Sequence, residues 1–96
     1  MIRLETPEHA GSRDQAIALV SALADDLSGT SVLLDCARLV VATPSFLDEL
    51  VKQVLEQRNA DRIDVLNPPD RAWQLLDRAA TNRGVRERIA VAVASG

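Results

Sequence analysis

Hydrophobic spacing along the chain switches repeatedly between strand-like and helical. Ile2 to Leu4 reads as a short first strand and Thr6 to Gly11 as a loop. After Ser12, an N-cap by residue type, Ala16, Leu19, Val20, Leu23 and Leu27 recur at helical spacing. They predict an amphipathic helix of about four turns, ended by Ser28 and a left-handed Gly29. Ser31 to Cys36 is a largely apolar run bounded by turn residues, which suits a strand buried on both faces. Thr43 and Pro44 open a second helix to about Arg58, with threonine as cap and proline at the first helical position. Phe46, Leu47, Leu50, Val51, Val54 and Leu55 cover one side; Asp48, Glu49, Lys52 and Glu56 cover the other, with Asp48 and Lys52 spaced for an i,i+4 pair. Arg62 to Leu66 is the next strand. Asn67-Pro68-Pro69 then leads into a third helix, which carries Ala72, Trp73, Leu76, Ala79 and Ala80 inward and closes at Gly84. Arg88 to Val93 is a last strand. The order β-α-β-α-β-α-β predicts an α/β domain: a mostly parallel or mixed sheet of about four strands, joined by right-handed crossovers through three helices.

Length and composition narrow the chemistry. Ninety-six residues make one domain, and 47% hydrophobic with 26% charged residues is an ordinary globular balance. The net charge of −3 argues against binding phosphate backbones by bulk charge, and 2% aromatic residues argue against a base-stacking platform, so no nucleic-acid partner is expected. A single cysteine, Cys36, excludes an internal disulfide, and a single histidine, His9, leaves no imidazole pair for zinc. Neither a metal nor any other cofactor is expected. The longest apolar run, Ile89 to Ala94, is far below the roughly 18 residues a membrane span requires, and the opening Met1-Ile2-Arg3-Leu4-Glu5 lacks a signal-peptide pattern. The expectation is a cytoplasmic protein, or a soluble module working beside a membrane protein without inserting.

In open α/β sheets, function gathers at the carboxyl ends of strands and the helix starts that follow. Here that place is Leu34 to Leu50, which runs Leu-Asp-Cys-Ala-Arg-Leu-Val-Val-Ala-Thr-Pro-Ser-Phe-Leu-Asp-Glu-Leu. This stretch resembles STAS domains, the fold of bacterial anti-sigma-factor antagonists, in which a strand ending in Leu-Asp is followed by Asp-Ser-Ser-Gly opening a helix. Asp35 matches the strand-end aspartate and Ser45 the second serine, which accepts phosphate in that family. Thr43 stands in place of the motif aspartate, Pro44 in place of the first serine and Phe46 in place of the glycine. Thr-Pro-Ser-Phe-Leu-Asp-Glu itself is similar to a divergent STAS-like branch, and the likeness spans about Ser31 to Val93.

That resemblance implies a non-enzymatic regulatory module. Ser45 and Thr43 are its candidate phosphate acceptors, and Asp35, Pro44, Phe46, Asp48 and Glu49 its candidate partner contacts. It implies as partner a serine kinase of the histidine-kinase-like ATPase group that doubles as an anti-sigma factor. A phosphate on Ser45 would gain from the helix start but face Asp48 and Glu49 within one turn. The alternative is an unmodified STAS-like accessory subunit of a transporter or larger complex, with bulky Phe46 narrowing the approach of a kinase. An enzymatic reading pairs Asp35 with Asp48 or Glu49, as paired acids or as metal ligands. Each residue also has a structural explanation. Thr43-Pro44-Ser45 is a helix cap, Asp48 and Glu49 are solvated dipole partners, Cys36 and Trp73 are core, and Asp35 orients a turn. The terminal strand also offers an edge for pairing with a second copy.

Overall fold

The computed structural model describes residues 1–92. Four parallel strands form the main sheet in the order β1-β3-β5-β6: β1 (Ile2–Glu5), β3 (Ser31–Asp35), β5 (Arg62–Leu66) and β6 (Ile89–Ala92). Val93, which the sequence placed in the last strand, lies outside the described residues. A second, two-stranded parallel sheet pairs β2 (His9–Ala10) with β4 (Val41–Ala42); both lie in stretches that the sequence left without strands. Three helices connect these elements: α1 (Arg13–Val20), α2 (Pro44–Val51) and α3 (Asp70–Asn82).

The main strands add in chain order, always on the same side. With right-handed crossovers, such an order puts every helix on one face of the sheet. Accordingly α2 packs between α1 and α3, and Leu4, Val32, Leu34, Ile63, Val65 and Ile89 are buried beneath them. The strand register aligns these residues across the sheet, with Leu34 opposite both Leu4 and Val65. On the other face Arg3 and Glu5 are exposed, while Leu33, Asp64 and Leu66 are half-buried. β3 is therefore covered on one face only. Its apolar run reflects a central position in the sheet and not two helical layers.

The first helix is half the expected length. It ends at Val20 because Ser21 finds local partners, its hydroxyl donating to the Ala18 carbonyl at 2.6 Å, and Leu23 N–H closes a tight turn on Val20. Leu27 still reaches the core, drawn there by its N–H bond to the Arg58 carbonyl at 2.7 Å. Gly29, at φ 79°, turns the chain into β3 and is not a helix cap. The second helix has the expected span, but its last six residues, Lys52–Gln57, wind as a π-helix. Its apolar pairs recur every four residues, slightly more than an α-turn, so a wider final turn keeps Val54 and Leu55 on the core side. Arg88 closes that end by donating to the Leu55, Ala60 and Asp61 carbonyls. In α3, Leu75 is buried beside Leu76, whereas Trp73 is half-exposed with the Arg86 guanidinium 5.3 Å from its ring.

Candidate functional site

The chain enters the site from the end of β3. Asp35 is nearly buried there: one carboxylate oxygen accepts the Ala37 N–H at 2.9 Å and the other takes the Arg3 guanidinium from β1. This is the turn-orienting role among those the residue type allows. Cys36 follows, buried, with its thiol pushed up to about 11 by desolvation and by the Asp35 charge, so it is a protonated core residue.

β4 then positions the start of α2. Thr43 N–H donates to the Ala10 carbonyl at 2.9 Å, and its hydroxyl accepts the Phe46 N–H at 3.2 Å. Pro44 occupies the first helical position, where its missing N–H costs nothing. The Thr43 hydroxyl thus works as the helix cap. Ser45, one step further, is exposed, and neither its N–H nor its hydroxyl has a partner among the described residues. Pro44 is exposed beside it. Phe46 is 0% exposed and points into the core beneath α2. It can neither contact a partner nor narrow the approach to Ser45, which corrects both sequence readings of this residue.

The acidic pair has internal partners. Arg83, just beyond α3, holds Asp48 in a fork, with Nε to Oδ1 at 2.9 Å and Nη2 to Oδ2 at 2.8 Å. Arg13 in the first turn of α1 adds a third bond to Asp48 at 2.9 Å and reaches Glu49 at 3.3 Å. These cations, Arg83 foremost, hold the Asp48 carboxyl below its ordinary value. Glu49 is only 4% exposed; a bond from Gln53 at 2.7 Å and then Arg13 lower its carboxyl against the opposing effect of burial. The Asp48–Lys52 pair anticipated from spacing does not form, because Lys52 lies 3.8 Å from Glu49 instead. Asp48 and Glu49 therefore tie the three helices together and offer little free acid to a visitor.

Between the helices lies a cleft of about 310 Å³, lined by Arg13, Ser45, Asp48, Leu75, Arg78 and Asn82, among others. Arg78 makes no ion pair among the described residues. Reasoning from sequence missed all three arginines. Arg13 and Arg83 each lie 35 positions from Asp48, and only the crossing of the helices brings them together. It also missed the apolar shoulder before α2, where Val40 is 67% and Val41 53% exposed. Asp35 pairs with Arg3, whereas Asp48 and Glu49 pair with Arg13 and Asp48 also with Arg83, so the two acidic positions belong to separate ion-pair networks. Among the described residues there is no group of three or more His, Cys, Asp or Glu able to bind a metal, and no helix long and apolar enough to cross a membrane.

Comparison with family models, with curated proteins and with solved structures finds no match to this chain.

Proposed function

We propose that the protein is a regulatory docking module whose binding face surrounds the start of α2, and that phosphorylation of Ser45 switches it. One observation carries this reading: an exposed, unpartnered serine hydroxyl at a helix start, with Pro44 and the exposed Val40 and Val41 close by in the chain. Thr43 is the weaker acceptor because its hydroxyl already caps α2. The repulsion expected from Asp48 and Glu49 is offset, since both carboxylates are paired with arginine. A phosphate on Ser45 enters a cleft that also contains Arg13 and Arg78, where charge-assisted bonds favour it. The STAS resemblance names the partner class, a histidine-kinase-like ATPase with serine kinase activity. The test is incubation with a panel of such kinases and ATP, followed by mass-spectrometric mapping. Phosphate on Ser45 is the expected result; phosphate only at other positions, or none, removes the switch.

A further inference from the structure

β4 has a second side. The Glu8 carbonyl accepts the N–H groups of Val40 at 2.8 Å and Val41 at 3.1 Å, and the Ala10 carbonyl accepts that of Thr43, so from Val41 to Thr43 the odd-numbered residues face β2. Strand alternation then points the Ala42 N–H and C=O the opposite way, and neither has a partner among the described residues. Ala42 itself lines a groove of about 260 Å³ between β4 and the start of α3, with Val40, Val41, Pro69, Arg71 and Ala72 also in its walls. The walls are mostly apolar, and two of them, Val40 and Val41, are the exposed valines. One end is cationic. α3 begins after Pro69 with no side-chain cap, so the N–H groups of Asp70, Arg71 and Ala72 have no acceptor, and Arg71 makes no ion pair among the described residues.

We propose that this groove takes an extended peptide segment of a protein partner, added beside β4 as a third strand, with an apolar side chain in the groove and a carboxylate at the Arg71 end. An open strand edge flanked by apolar walls fits an extended backbone better than a helix, because only the strand satisfies the Ala42 groups. The unpaired guanidinium and the uncapped amides supply the complement to a carboxylate, either an acidic side chain or a chain terminus. Asp70, in the same first turn, is the like charge that such a carboxylate meets. The inference rests on the docking reading above but not on any modification of Ser45.

The test is selection of displayed random octapeptides with free carboxyl termini on the full chain, followed by titration of enriched peptides into ¹⁵N-labelled protein. Enriched sequences should alternate apolar and polar residues, carry a carboxylate, and shift the amide signals of Val41, Ala42, Arg71 and Ala72. Neutralising the carboxylate, N-methylating the peptide at its paired backbone position, or introducing Arg71→Glu should each weaken binding at least tenfold. Asp70→Asn should strengthen binding. Enrichment no greater than on a folded Val41→Asp protein, shifts centred on Ser45, or indifference to N-methylation overturns the proposal. Failure here alongside phosphorylation at Ser45 removes the groove and keeps the switch. Peptide binding without phosphorylation does the reverse.

Discussion

Replacing Asp48 by asparagine removes one charge from a carboxylate that accepts three hydrogen bonds from cations, two from Arg83 and one from Arg13. A hydrogen bond to a charged group contributes about 1.5–3 kcal/mol when its partner is otherwise buried. Three factors lower the sum. The bonds share one acceptor, the Asp48 side chain is 26% exposed, and both arginines keep a second carboxylate, Glu56 at 3.0 Å and Glu49 at 3.3 Å. The expected loss is about 2 kcal/mol, a fall in Tm of roughly 8–16 °C for a domain of this size. The pH dependence supplies the sharper check. The folded Asp48 carboxyl lies below its ordinary value, so its stabilisation is complete above the unfolded value of about 3.9 and is lost as pH falls through the folded one. Urea unfolding of the two proteins at pH 7, 5 and 3, followed by helical circular dichroism, measures the gap. It should be constant from pH 7 to 5 and close toward pH 3. A gap under about 0.5 kcal/mol at pH 7, or one that persists unchanged at pH 3, would refute the ionic clamp.

Other perturbations probe the same region by different physics. Thr43→Ala should cost about 1 kcal/mol in urea unfolding through loss of the Phe46 N–H acceptor, and Thr43→Ser should recover most of it. Phe46→Ala should cost about 3–5 kcal/mol in the same assay, because the ring is completely buried. The Cys36 thiol should resist a disulfide reagent at pH 8 in the native protein and react fully in denaturing urea, as follows from its burial and its raised pKa.

What could be read in the sequence follows a physical division between local and long-range interactions. The start of α2 was legible because Thr43, Pro44 and the Phe46 N–H interact within four residues. The parallel α/β order was legible from hydrophobic period alone, since each strand and helix declares its own spacing. The end of α1 was not: Leu23 and Leu27 keep helical spacing, yet Ser21 and the pull of Arg58 on the Leu27 N–H redirect the chain. One-sided cover of the sheet was equally hidden, because a central strand such as β3 stays half-buried even without helices on its second face. In the site, the exposure of Ser45 matched the position of a helix start, whereas Phe46 followed the core stripe of α2 inward. Arg13 and Arg83 carried no local signal, since their partner Asp48 is distant in the chain. Nor did Ala42, whose open edge exists only because β2 pairs with the other side of β4.

The most direct test of the regulatory account compares affinities. Protein carrying genetically encoded phosphoserine at position 45 and unmodified protein would each be titrated by calorimetry against the ATPase that phosphorylates it. The account predicts at least a tenfold difference in Kd between the two forms; equal affinities would contradict it.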